Sequence, residues 1–157
     1  MHRPVPLLIV LLVLSACSAS IRGVVRPGDQ GPQLQEMQGR TWLLQPQTDE
    51  ARLLRFLDGE EVVVEGSKRG RTLKADRWSL REGTHGLQAF YGPLLDGPNG
   101  FGVQDQGSQA FYTIDDDAVD LLIDHVGKPV VLEGYVEGAQ AVRVVYYRVL
   151  AAPEAAP

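Results

Sequence analysis

The sequence predicts a mainly β protein made of two tandem copies of one small five-stranded module, each with a single short helix between its third and fourth strands. Three observations carry this expectation. The chain repeats itself, for Gly59-Glu-Glu-Val-Val-Val-Glu-Gly66 returns as Gly127-Lys-Pro-Val-Val-Leu-Glu-Gly134, each downstream of a Leu-Leu pair at Leu53-Leu54 and Leu121-Leu122. A fixed offset of this kind signals a repeated structural unit. Short β-branched and aromatic runs alternate with glycine- and proline-rich turns, which is how strands and hairpins read. One stretch in each copy then switches to the apolar spacing of a helix.

The match extends both ways. Trp42 falls opposite Phe111, Leu34 opposite Val103, Gly31 opposite Gly100 and Gly23 opposite Gly92. Downstream, with one residue inserted into the second copy, Leu73, Ala75, Trp78 and Leu80 fall opposite Val142, Val144, Tyr147 and Val149. The copies are thus expected at residues 21–82 and 86–150, joined by Gly83-Thr84-His85-Gly86, with 151–157 a disordered tail.

In the second copy, Tyr91 to Leu95 is an apolar strand stopped by Asp96-Gly97-Pro98-Asn99-Gly100, after which Phe101 to Gln104 resumes as the other arm of a hairpin. Ala110 to Ile114 is a third strand. Val119, Leu122, Ile123 and Val126 mark one face of a short helix, with Asp115-Asp116-Asp117 before it as cap and dipole complement. Gly127 and Pro129 end it. Val130 to Glu137 alternates Val130, Leu132 and Val136 against Glu133 and Glu137, and Val142 to Leu150 is the last strand.

The first copy follows the same order with a polar second strand, Gln33 to Gln38. Trp42-Leu43-Leu44 is the third strand, Asp49 to Leu57 the helix with Leu53, Leu54 and Leu57 inward, and Glu61 to Glu65 the fourth strand. In both fifth strands the apolar phase slips, between Ala75 and Trp78 and between Val144 and Tyr147. Either a β-bulge or the end of the strand produces such a slip. The order β-β-β-α-β-β resembles the OB-fold, a five-stranded Greek-key barrel. The resemblance implies a ligand groove framed by the connections between strands one and two and between strands four and five.

The N-terminus carries a second resemblance. Met1 to Arg3 are basic, Leu7 to Leu14 form an apolar run shorter than the ~20 residues of a spanning helix, and Leu14-Ser15-Ala16-Cys17 follows. This resembles the lipobox of bacterial lipoprotein precursors. The resemblance implies a signal peptide at residues 1–16, acylation of Cys17, and a tether at 17–20 holding the protein on a lipid bilayer. Ser18 rather than an aspartate after the cysteine implies the outer membrane, facing the periplasm, over the inner membrane. The plain alternative is a secretory leader cut nearby, which leaves an unpaired thiol in an oxidising compartment.

Catalytic chemistry is not apparent in the residues. Beyond the leader stand only His85, in the join, and His125, near a helix end where a cation is favoured. With Cys17 acylated, no zinc ligand set is expected. Neither a nucleophile elbow nor a phosphate loop is present, and no cofactor or metal is expected. Asp115-Asp116-Asp117 lacks the spaced ligands and glycine of a calcium loop.

Charge divides the copies. The first holds 11 Lys and Arg against 10 Asp and Glu, the second 3 against 9. Lys68, Arg69, Arg71, Lys74, Arg77 and Arg81 lie in or beside the connection between strands four and five of the first copy, which also holds Trp42 and Trp78. The cluster reads either as a ligand or membrane-surface site with stacking aromatics or as a solvated loop beside core tryptophans. The expected function is a non-catalytic binding or scaffolding module of the bacterial cell envelope, with an envelope protein or a glycan as partner. The alternative is an OB protein binding an oligonucleotide or oligosaccharide through the basic connection. A net charge near −6 after the leader disfavours nucleic acid. A tether of only three residues would hold the basic cluster toward the membrane and project the acidic second copy outward.

Overall fold

The computed structural model describes residues 18–97 and 99–150. The expected leader, the acylation of Cys17 and the 151–157 tail lie outside the described residues.

Among the described residues, ten strands form two five-stranded sheets. The first contains β1 (Ser18–Arg26), β2 (Gln33–Gln35), β3 (Thr41–Pro46), β4 (Glu61–Arg69) and β5 (Thr72–Glu82). The second contains β6 (Gln88–Gly97), β7 (Gly100–Gln104), β8 (Phe111–Ile114), β9 (Pro129–Glu137) and β10 (Ala141–Val149). Pairing in the first runs β1-β2-β3-β5-β4 and returns to β1, and in the second β10-β8-β7-β6-β9 and back to β10, so each sheet closes on itself as a barrel. Closure is narrow in the second unit, where β10 meets β8 only at Ala141 and Val142. The polar second strand of copy one has three residues, of which only Leu34 is buried.

The copies agree in register. Val25 pairs with Leu34 in β1–β2, and their counterparts Leu94 and Val103 pair in β6–β7. Gly31 and Gly100, at the matching turn, share a φ of 121°, open to glycine and strained for other residues. Gly66 and Gly134 mark a close strand approach: a Cβ there would sit 1.8 Å from the Lys74 carbonyl oxygen or 2.2 Å from that of Arg143. The slip in the fifth strands is a bulge in both copies. Asp76 is skipped between Arg77, opposite Glu65, and Ala75, opposite Gly66, while Val145 is skipped between Tyr146, opposite Glu133, and Val144, opposite Gly134.

A helical segment leads from the third strand to the fourth in each unit. In the first, α1 (Asp49–Arg52) continues as a 3-10 turn, Leu53–Phe56, and buries Ala51, Leu53, Leu54 and Leu57. Thr48 caps it, accepting from the Ala51 amide at 3.1 Å, and the same hydroxyl donates to the carbonyl of bulge residue Asp76 at 3.0 Å. In the second, Asp115 caps α2 (Asp116–Leu122) by accepting from the Ala118 amide at 3.1 Å, and its other oxygen accepts from the Val144 amide at 2.7 Å, beside the second bulge. Each N-cap therefore ties a helix to a bulge.

Three expectations need correction. Ile123 and Val126 are exposed at 46% and 50%, because α2 ends at Leu122 and the following 3-10 turn, Ile123–His125, advances three residues per turn and rotates the apolar stripe off the core. The buried pair is Ala118 and Leu122. Ser18 to Ser20 are not a free tether but the start of β1, paired with Ser67, Gly66 and Glu65. Glu133, expected outward, is wholly buried, while Val136 is 39% exposed.

The barrels pack together through the far end of the first. Tyr91, Val131 and Leu150 of the second unit join the buried cluster built on Ile21, Leu34, Leu54 and Trp78. Phe90, Leu94, Val103, Leu122 and Leu132 fill the second barrel.

Candidate functional surface

Strand direction gives the first barrel two unlike ends. β1 and β5 both run antiparallel to β4, and β3 runs parallel to β5. The start of β1, the β2–β3 turn at residues 36–40 and the β4–β5 turn at Gly70–Arg71 therefore share the near end. The helical segment and the exit of β5 toward the second barrel share the far end.

At the near end the chain builds a basic rim on one tryptophan. The Lys68 ammonium lies 5.1 Å from the Trp42 ring centroid and the Arg40 guanidinium 5.5 Å from it. Both distances are within cation–π range. The Trp42 indole N–H donates to Glu36, so the ring is fixed, and the residue is only 5% exposed. Gly39, Arg40, Thr41, Trp42, Gly70 and Arg71 line an open groove of about 600 Å³ between the two turns. The Arg71 carbonyl accepts from the Leu43 amide at 2.9 Å, joining the turns. Met37, at the tip of the β2–β3 turn, is 81% exposed.

The basic cluster read from the sequence divides in two. Lys68, Arg69 and Arg71 are exposed at the near end, and Lys74 is half-buried opposite Ser67 on the barrel wall. Arg77 lies roughly 20 Å along the strand from Arg71, in a second groove of about 710 Å³ between the barrels, with Glu50, Arg81 and Asp105 also on its lining. Trp78 is not a stacking platform. It is 6% exposed, its ring centroid is 4.3 Å from that of Tyr91, and its N–H donates to the Glu50 carbonyl at 2.9 Å. Burial, with Glu50 nearby, pushes the Tyr91 phenol up to about 12. Among the described residues, Lys68, Arg69, Arg71, Lys74, Arg77 and Arg81 form no ion pair with a carboxylate.

Sequence reasoning missed the junction between the barrels. Glu133 accepts from the backbone N–H groups of Thr84 at 3.2 Å and His85 at 3.0 Å, and its carboxylate lies 3.2 Å from His85 Nδ1. Glu60, also wholly buried, accepts from the same Thr84 amide at 3.1 Å. Its other oxygen has no hydrogen bond and lies 3.6 Å from Arg148, which donates to the Phe56 carbonyl at 2.6 Å. Burial raises the Glu60 carboxyl above its ordinary range; the Thr84 bond opposes this, nearby Glu133 adds to it, and Arg148 opposes it. Gly83 is the readable signal in this join: a Cβ there would lie 2.3 Å from the Glu133 carboxylate.

Among the described residues no group of three His, Cys, Asp or Glu side chains is placed to hold a metal ion, and no helix is long and apolar enough to cross a membrane. No protein-family model, curated protein or solved structure matches this chain.

Proposed function

We propose that this protein is a lipid-anchored module of the bacterial cell envelope that binds or scaffolds a partner without catalysis, its two barrels being OB-folds in tandem. Acylation at Cys17 supplies the anchor, and the outer membrane facing the periplasm is its location. The observation that carries the reading is the meeting of two independent features at one end of the molecule. The lipobox ends at Cys17, and the next residue, Ser18, already stands in β1 opposite Ser67, immediately before Lys68 and Arg69. An acylated residue there leaves the first barrel against the bilayer and the acidic second barrel on the far side, available to an envelope protein or glycan.

Replacing Cys17 by Ser in the full-length precursor tests this directly. The wild type is expected to incorporate a clickable fatty acid and fractionate with membranes, and Cys17→Ser to lose the label and accumulate as precursor or soluble protein. Equal labelling of the two chains would refute the anchor.

The second reading, an oligonucleotide- or oligosaccharide-binding protein, draws on the groove between the β2–β3 and β4–β5 turns and the cations that rim it. It is the weaker one. Base or sugar stacking needs an open aromatic face, worth about 1–3 kcal/mol per base, whereas Trp42 and Trp78 are both buried.

A further inference from the structure

We infer that the near end of the first barrel is itself a bilayer-binding face that engages the phosphates of anionic lipid headgroups, independently of the acyl chains. The inference rests on the lipid-anchor reading for its setting and on the barrel for its content. Four exposed cations, Arg40, Lys68, Arg69 and Arg71, lie on two adjoining turns and the end of β4. None of the four is in an ion pair among the described residues. The one carboxylate on these turns, Glu36, is held by the Trp42 N–H and does not answer any of them.

Two of the cations are positioned rather than loose. Arg40 and Lys68 both approach the ring of Trp42, so a planar side chain fixed in the barrel wall holds them toward the rim. Between them and Arg71 lies the open groove, large enough for a headgroup phosphate and flanked by Gly39 and Gly70, at each of which a Cβ would find open space. Met37 stands on the same rim with its side chain in solvent. A flexible apolar side chain that shares a groove with Lys68 suits the boundary between headgroups and acyl chains, where the cations meet phosphate and the thioether enters the apolar layer.

The path of the chain selects a membrane over other anionic occupants. Ser18 stands at this end, and the seventeen residues that precede it, the expected leader at 1–16 and Cys17, join the barrel here. An anchor on that segment is attached at the end of the barrel that carries these turns.

The test uses the chain from Ser18, which contains every strand of both closed barrels and has no acyl group, so that its outcome is separate from that of the Cys17→Ser labelling experiment. Co-sedimentation is measured with vesicles of phosphatidylcholine alone and with vesicles containing phosphatidylglycerol, at low and physiological salt. Binding is expected only to the anionic vesicles and to fall with salt. Each cation near such a surface contributes about a five-fold change in partition, so changing Arg40, Lys68, Arg69 and Arg71 together to Ser is expected to weaken binding at least 100-fold. Changing Arg26 and Arg55, at the far end, to Ser is the charge control and is expected to change binding less than three-fold by the same decay with distance. An environment-sensitive dye on Met37→Cys should shift to the blue on the anionic vesicles. Equal binding to neutral vesicles, an equal loss in the far-end control, an unshifted dye, or tighter binding to a short oligonucleotide than to anionic vesicles at matched phosphate concentration would each overturn the inference.

Discussion

The two barrels share a backbone and differ in what they do with one carboxylate. Glu65 and Glu133 occupy the same place in the repeat, one residue before a glycine that lets strands cross closely, and each stands opposite the residue after a bulge. In the first barrel the partner is Arg77 and Glu65 remains exposed. In the second it is Tyr146, whose ring lies 4.5 Å from that of His85, and Glu133 is wrapped by the join and fully buried. Repetition thus preserves the positions that steer the main chain, while the same side chain becomes surface in one copy and structural cement in the other.

The strongest way to break the shared part is at the crossing glycines. Gly66→Ala and Gly134→Ala each place a methyl group within 1.8 and 2.2 Å of a backbone oxygen, and both are expected to cost about 3 kcal/mol, seen as lower midpoints in urea unfolding. A loss confined to one variant would mean that the copies do not share their strand crossing.

The divergent part is tested by the carboxylates themselves. Glu133→Ala removes the acceptor of two backbone N–H groups and is expected to destabilise by about 2 kcal/mol. Glu65→Ala should cost less than about 0.5 kcal/mol, as an exposed charge does. Comparable losses measured by thermal or chemical unfolding would erase the distinction drawn between the barrels.

The smallest effect is a slope. Because burial raises Glu60 in the folded chain, the native state binds more protons than the unfolded state between the ordinary carboxyl value and the raised one. Stability contributed through Glu60 is therefore present below that window and declines as pH rises through it. Unfolding midpoints measured across mildly acidic to neutral pH should show this decline in the wild type and less of it in Glu60→Gln. An unchanged slope would remove Glu60 as its source.

The barrel scaffold was legible because its signals are local. The glycine-framed repeat, the Asp96–Gly100 turn, the cap at Asp115 and the slips at Ala75 to Trp78 and Val144 to Tyr147 all lie within a few residues of what they determine. Burial of Glu133 and Glu60 was not legible, since it arises from a join that folds back across strands up to 49 residues away in sequence. The basic cluster was half legible. Counting charges found Lys68 to Arg77, but only strand direction separates the residues on the near rim from Arg77 in the groove between the barrels, and Arg40 and Met37 come to that rim from a different hairpin. Helical spacing also misplaced Ile123 and Val126, because a change of helix type over three residues leaves little trace in composition.

The start of β1 at Ser18 also decides how this molecule carries load. β1 is hydrogen-bonded to β4 along a register running from Ser18↔Ser67 to Val24↔Glu61, and the chain leaves the first barrel at the opposite end, through β5. A pull between Ser18 and the second barrel is therefore directed along the strands. It loads the ladder in shear, so that many hydrogen bonds resist together instead of opening one after another from an end. If the proposed anchor at Cys17 holds one end and a partner tugs the second barrel, the same strand that completes the fold is the one that transmits the force.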